Sequence, residues 1–407
     1  MASESLWADA SLFSAEGREL LQRLADEQVD PDRALELARS LRERYSPALV
    51  AAALTQRALR IAARAKFSRA DTMLLTRAGL EQASSETTAA RSAARYPAGG
   101  LVADLCCGIG GNLTALGRGR RVLAVDRDLV SLEFARHNAG VYEAAGGLTA
   151  VCADVTGLAL AGVDGVFIDP ARRAGGRRLA AGRSEPPLAW CLALAGAVPA
   201  TGIKAAPGLP RELVPPGWEA EFVAVGRDLK EALLWSPALA TARSRATILP
   251  SGDTLTEPPG SPDGDVPVVD VPVAAPGAFL LDPSPAVTRA GLVEELARRL
   301  GAWKIDPAIA FLSADRELRT PFARTLQVLE SAPWHERRFA RKLRDLGVGA
   351  ADIRRRGLAG DVEQIHRRLA LRGPGRATVV ITRTAGRPWG LICADVPDAG
   401  PREPGAR

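Results

Sequence analysis

Four acids set the chemistry this chain can do. Asp104, Asp126, Asp154 and Asp169 each close a short apolar segment, in LVAD, RVLAVD, LTAVCAD and VFID. Apolar runs ended by polar turns are the mark of buried parallel strands, and in open α/β sheets ligands gather at the carboxyl ends of such strands. A glycine cluster, Gly108-Ile-Gly110-Gly111-Asn112, follows the first acid alone. Glycine is needed where a ligand approaches the backbone too closely for a Cβ. A glycine turn after one strand and an acid at the end of the next describe a pocket for an adenosine-containing cofactor.

Two details favour S-adenosylmethionine (SAM) over a dinucleotide. A dinucleotide fingerprint calls for Gly or Ala at position 113, where helix and strand cross, and this chain has Leu113. An acid four residues before the first glycine suits a cofactor with a cationic amino-acid tail, which Asp104 would meet directly or through water. Asp126 lies 22 residues after Asp104 and matches an acid that accepts both ribose hydroxyls. Asp154 would accept from the adenine amino group, with Val155 packed beside the ring. Cys106 is a small residue of the crowded turn. With Gly108, Gly110, Asn112 and Arg127 it completes the expected cofactor-binding set. Any one of these acids could simply cap a following helix, but four in register favour a pocket.

The last acid opens Asp169-Pro170-Ala171-Arg172-Arg173, where an acceptor would meet the methyl group. Pro170 stiffens the loop, and Asp169 can accept from a substrate amino or imino group. Arg172 is placed for a phosphate or carboxylate. Lys204 ends a later strand at the same rim, facing substrate or solvent, and is a second phosphate anchor. Asp169, Pro170, Arg172 and Lys204 are therefore the expected catalytic set. Trp235 lies near Asp228, Lys230 and Glu231, where it could stack a base or fill the core. The three histidines are scattered, and no metal cluster or Ser-His-Asp set assembles from the sequence.

The elements that must hold these residues read as follows. Residues 1–97 repeat apolar positions at helical spacing, with Pro31 and Pro47 as first-turn residues behind Asp30 and Ser46 as caps. Residues 98–250 alternate strand and helix patterns. Strands are expected at 101–105, 121–125, 148–152, 163–169, 201–205, 219–226 and 241–249, the last two as a hairpin. That is a Rossmann-like, seven-stranded α/β domain. Residues 251–270 have the composition of a linker, 271–396 of a small α+β domain, and 397–407 of a disordered tail.

Apolar residues make up 47% and charged residues 25%, a balance suited to a globular chain with sizeable cores. No apolar run approaches the roughly 20 residues that span a bilayer, and the start has no signal-peptide pattern. Five cysteines without CxxC spacing point to a reduced, cytoplasmic chain and no structural metal. Basic clusters at 172–178, 337–344 and 354–356 suit phosphate contacts, or are solvated helix faces.

The stretch from ADLCCGIGGN to VCADV resembles class I SAM-dependent methyltransferases, most closely the trimethylguanosine-synthase group of RNA-modifying enzymes. That group carries D-x-F-C-G-x-G-G-N, then an acid and A-R-x-N-A. The resemblance implies that Asp104, Gly108, Gly110, Asn112, Asp126 and Asp154 line a SAM pocket, with Asp169 on the substrate side. The chain departs at its fourth motif, where DPARR lacks the second proline and the aromatic of base-amino methyltransferases. The whole chain also resembles a bacterial methyltransferase family with a C-terminal THUMP-like domain, through KFSRADTMLLTRAGLEQASS, FIDPARR, IKAAPGLP, DLKEALLW and residues 277–395. THUMP domains bind RNA, so the resemblance implies a tRNA or rRNA substrate held by the C-terminal domain. A small-molecule methyltransferase and a non-catalytic RNA-binding protein are the alternatives. The target base and the oligomeric state are not legible.

Overall fold

The computed structural model describes residues 11–26, 34–171, 173–174, 177–178, 184–258, 270–358 and 361–396. Arg172, the cap at Asp30-Pro31, residues 259–269 of the linker and the 397–407 tail lie outside the described residues. Two compact units emerge. The first runs to Glu219 and includes Glu231–Thr241; the second holds Ala220–Lys230 and the chain from Ala242 onward.

The first unit opens with helices α1 (Ala15–Asp26), α2 (Ala34–Arg42), α3 (Pro47–Ala63), α4 (Arg77–Gln82) and α5 (Glu86–Ala93). Ser46 caps α3 by accepting from Leu49 N, and Pro47 fills its first turn as the spacing predicts. The stretch DTMLLTRAGLEQASS departs from expectation, because only its second half is helical. Met73–Leu75 runs extended, and the backbone of Leu74 and Leu75 is satisfied by two buried side-chain amides rather than by helical bonds. Leu75 N donates to Gln56 Oε1 and Gln56 Nε2 donates to Leu75 O; Asn138 serves Leu74 N and O in the same way. The α4 helix starts later, where Thr76 accepts from Gly79 N at 3.0 Å.

Beyond them lie β1 (Leu101–Leu105), a short α6 (Leu113–Leu116), β2 (Arg121–Asp126), α7 (Leu129–Val141) and β3 (Leu148–Cys152). Then come β4 (Gly165–Ile168), α8 (Leu188–Ala193) and β5 (Ala200–Ala205). Two further strands are β6 (Glu219–Val225) and β7 (Asp228–Trp235). Within the first unit the sheet order is β7-β5-β4-β1-β2-β3, parallel except for β7, which runs antiparallel to β5. The arrangement is Rossmann-like, with β1 central and the order reversing beside it. Val102, Leu105, Val166, Phe167 and Ile168 are almost fully buried, as central parallel strands require. One apolar cluster joins Leu49 and Val50 of α3, and Phe67 and Met73 of the chain after it, to Ile109, Phe134 and Tyr142 of the α/β part.

The expected hairpin of 219–226 with 241–249 is corrected by β7, an unpredicted strand between them. Its run ALLW is wholly buried, which makes it a sheet strand rather than a connection. In the second unit β8 (Ser244–Leu249) runs parallel to β6 and antiparallel to β9 (Asp253–Thr256). A return crossing through β7 removes the need for a helix between the parallel pair β6 and β8.

The rest of the second unit is α+β. A seven-stranded sheet is built from β10 (Phe279–Pro283), β11 (Trp303–Lys304), β12 (Leu312–Ala314), β13 (Ala323–Pro333), β14 (Val348–Arg355), β15 (Gly375–Thr384) and β16 (Arg387–Asp395). Its order is β11-β12-β10-β13-β16-β15-β14. The segment VTRAGLVEELARRLG forms two helices, α9 (Pro285–Ala290) and α10 (Val293–Leu300). They break at Gly291, whose φ of 71° lies in the left-handed region. Helices α11 (Glu336–Asp345) and α12 (Val362–Leu369) bury Phe339, Leu343 and Leu369 in a cluster with Val379 and Ile392 of the sheet.

Candidate active site

A cavity of about 530 Å³ opens at the carboxyl ends of β1, β2, β3 and β4, where the strand order reverses. The turn after β1 lines it with Cys106, Gly108, Asn112 and their neighbours; Asp126, Asp154, Val155, Asp169 and Pro170 follow from the other strand ends. The N-terminal helical segment supplies the remaining wall through Thr76, Gly79 and Gln82–Ser84.

At one end of the cavity the acids are tied to their own turns. Gly108 N donates to Asp126 Oδ2 at 2.8 Å, and Asp128 N donates to Asp126 Oδ1 at 2.9 Å. Thr156 donates to Asp154 Oδ1 through its hydroxyl at 2.7 Å and its amide at 2.8 Å, which holds that carboxyl below the usual range. Arg127 reaches across to Glu185 at 2.7 Å, joining the cofactor-side strand end to the segment returning behind Asp169. That segment is fastened by paired backbone bonds between Ala171 and Glu185.

The three glycines of the turn do different work. Gly108, at φ 53°, has open space where a Cβ would stand, so a ligand can approach its backbone closely. A Cβ on Gly110 would come 3.0 Å from Ala135 Cα, so this position seats helix α7 and does not line the cavity. On Gly111 a Cβ would meet Ala83 Cβ at 3.0 Å and Ser84 O at 3.2 Å, so Gly111 receives the N-terminal segment.

The other end is buried and charged. Asp104 has no exposed surface, and neither of its oxygens has a hydrogen-bond partner among the described residues. Burial, with Asp169 and Asp126 nearby, pushes its carboxyl well above the usual range, and Lys204 pulls it back. Asn112 Oδ1 is likewise buried without a partner among the described residues. Lys204 Nζ lies 2.6 Å from Asp169 Oδ2 and 3.3 Å from the Gln82 carbonyl oxygen. Its ammonium is thus spent inside the protein rather than held open for a phosphate. Burial drives the Cys106 and Cys107 thiols far up, and Cys191 to about 12, so none is a thiolate nucleophile.

Apart from Gly110, Asp104 behind the turn and Lys204, which is bound to Asp169, every expected site residue that the structure describes lines the cavity. Trp235 is a core residue, buried against Tyr96 and Phe167 with Arg95 over its ring, and it cannot stack a base. The sequence reading missed Thr76, Gly79, Gln82, Ala83 and Ser84, although the segment carrying them stood out as KFSRADTMLLTRAGLEQASS. Asn138, also missed, binds Leu74 and the Ile109 carbonyl, fastening that segment to the glycine turn.

A family model for RNA cap guanine-N2 methyltransferases matches residues 99–171, and a THUMP domain-like model matches 323–395. A domain of unknown function matches 7–63. An uncharacterised S-adenosylmethionine-dependent methyltransferase of Mycobacterium tuberculosis is 39% identical over 329 residues, covering 76% of this chain and 84% of the relative. The chain belongs to the S-adenosylmethionine-dependent methyltransferases. A crystal structure from Porphyromonas gingivalis, provisionally assigned as a methyltransferase, superposes with a TM-score of 0.67. It covers 96% of both chains at 20% identity, which establishes a shared fold.

SAM is the cofactor of this methyltransferase, and the chamber fits it. SAM carries a sulfonium and an ammonium; Asp126, Asp154 and Asp169 line the chamber, and Asp104 lies behind the turn in the field of Asp126, Asp169 and Lys204. Orphaned acceptors on Asp104 and Asn112 suit such a cation, and Gly108 leaves the approach open. No helix among the described residues is long and apolar enough to cross a membrane.

Proposed function

We propose that this enzyme methylates a base in structured RNA, a tRNA or rRNA, at an atom bearing N–H. In this reading Asp126 accepts the ribose hydroxyls, Asp154 the adenine amino group with Val155 beside the ring, and Asp104 and Asn112 balance the cationic amino-acid end. When bound, SAM supplies an electrophilic methyl group on a sulfonium. The chain's own residues hold, orient and desolvate the acceptor. One oxygen of Asp169 is engaged by Lys204, and the other has no hydrogen bond among the described residues, so it can accept from the incoming N–H. That half-engaged carboxylate at the mouth of β4 carries the proposal.

The RNA part rests on the C-terminal region, proposed as a grip over 271–396, with 1–97 closing the chamber and 98–250 as the catalytic core. Within the second unit, α11 exposes Arg337, Arg341 and Arg344, and among the described residues no acid pairs with them. Unpaired guanidinium groups on one helix suit phosphates. All five cysteines are free, which fits the reduced cytoplasm. A small-molecule acceptor is the second reading, favoured by one observation: no aromatic side chain occurs among the described lining residues.

The test is transfer of tritiated methyl from SAM to total bacterial RNA, with and without ribonuclease, beside a calorimetric SAM titration. Ribonuclease-sensitive label supports the RNA reading. SAM binding with no label in RNA moves the assignment to a small-molecule acceptor.

A further inference from the structure

Lys204 joins parts of the chain that lie far apart in sequence. It extends from the end of β5, with 5% of its side chain exposed, to the acid that ends β4 and to the last carbonyl of α4. A lysine this deep keeps its charge only beside carboxylates. The segment it grips is already seated from the other side. A Cβ on Gly79 would strike Ile109 Cγ2 at 2.4 Å, and Gly111 leaves contact distance for Ala83 and Ser84. The end of α4 is therefore wedged between the glycine turn and the Lys204 ammonium.

We infer that Lys204 is a positioning residue, clamping one oxygen of Asp169 to the Gln82–Ser84 segment so that the other oxygen meets the acceptor N–H at a fixed angle. The inference rests on the methyl-transfer reading above and deepens it. A carboxylate on a short strand end has two rotatable bonds, and an ammonium at 2.6 Å on Oδ2 fixes the direction of Oδ1. The same ammonium closes the wall that keeps water from the acceptor end. The clamp also sets the charge there. Lys204 from β5, Asp104 from β1, Asp126 from β2 and Cys106 from the turn share this buried field, and the 76–84 wall adds no charged side chain to the cavity. Lys204 is the positive member of that set.

The experiment compares wild type, Lys204→Met, Lys204→Gln and Lys204→Arg as full-length chains. Transfer of tritiated methyl to total bacterial RNA is measured against RNA concentration. Amide hydrogen exchange over 76–86 is measured with S-adenosylhomocysteine bound. For Lys204→Met we expect kcat to fall about 100-fold, the scale of an acceptor misplaced by about 1 Å. KM for RNA should stay within about 3-fold, and exchange at 82–84 should be faster by at least about 10-fold. Lys204→Arg, which restores a cation, should recover most of the exchange protection and part of kcat. Lys204→Gln keeps a donor to Gln82 without the charge, so it should protect the segment while kcat stays low. Unchanged exchange at 82–84 together with an unchanged kcat would overturn the inference. If wild type labels no RNA, the RNA reading fails by itself, and the exchange data still decide whether Lys204 holds the segment.

Discussion

The two ends of the cavity are built by opposite means. At the cofactor end the acids bind donors near them in sequence: Asp154 bonds to Thr156, and Asp126 to Asp128 and to the turn of the preceding strand. At the end proposed for the acceptor Asp169 is held by Lys204, which in turn reaches Gln82 in a helical segment far away in sequence. One end is a chain of local turns, partly exposed. The other is a buried ion pair assembled from three distant stretches. A cofactor site of local turns can be copied between proteins as a motif, whereas an acceptor site held this way changes whenever its supports change.

The sharpest way to break that contrast is to change the two acids separately. Asp169→Asn keeps an oxygen for Lys204 and removes the charge that receives the acceptor. Transfer should fall about 10²- to 10³-fold, the usual scale for loss of one positioned polar group in a reacting site, with SAM affinity within about 3-fold. Calorimetry beside the transfer assay checks both, and a parallel loss of SAM binding would assign Asp169 to the cofactor end. Asp126→Ala should do the converse. Losing hydrogen bonds to a charged acceptor costs about 1.5–3 kcal/mol, so SAM affinity should drop about 10- to 100-fold. The variant also frees Gly108 N and Asp128 N, so its unfolding midpoint should fall modestly. A folded protein with unchanged affinity would remove the ribose assignment.

The same contrast explains what the sequence disclosed. Asp104, Asp126, Asp154 and Asp169 were legible because each ends an apolar strand, and strand ends are local signals. The role of Gly111 was not, since its reason is a contact with Ala83 and Ser84 that no spacing records. Lys204 looked like an open cation because nothing nearby in sequence predicts its burial against Asp169. Strand β7 was hidden by a run of charges at its start, Asp228, Lys230 and Glu231, ahead of four buried residues. Met73–Leu75 reads as helix because its apolar spacing is helical; Gln56 and Asn138 supply the alternative bonds from elsewhere.

A smaller effect sharpens the picture at the seam between the ends. Gly111→Val would push a branched side chain into Ala83 and the Ser84 backbone, and overpacking of this kind costs about 1–3 kcal/mol. Thermal unfolding should show the loss. The added presence of S-adenosylhomocysteine should restore less of it than in wild type, because the displaced segment is part of the cavity wall.

The smallest expected effect carries the comparison into the second unit, where arginines divide along the same line. Arg354 pairs with Asp352 at 3.1 Å, and Arg356 pairs with Asp282 at 2.8 Å while lying over the Phe311 ring, so this cluster is spent on the fold. On α11, Arg338 is held by Glu330 at 3.0 Å, but Arg337 and Arg341 are exposed and unpaired among the described residues. Each phosphate contact steepens the salt dependence of nucleic-acid affinity by about 0.7 to 0.9 in log–log slope, from single strand to duplex. Reversing Arg337 and Arg341 to Glu should therefore flatten the slope for structured RNA by about 1.4 to 1.8 and weaken RNA binding at low salt. Arg354→Glu should leave the slope as it is. Equal slopes for the two variants would make α11 a solvated face, and the RNA grip would have to lie elsewhere on the chain.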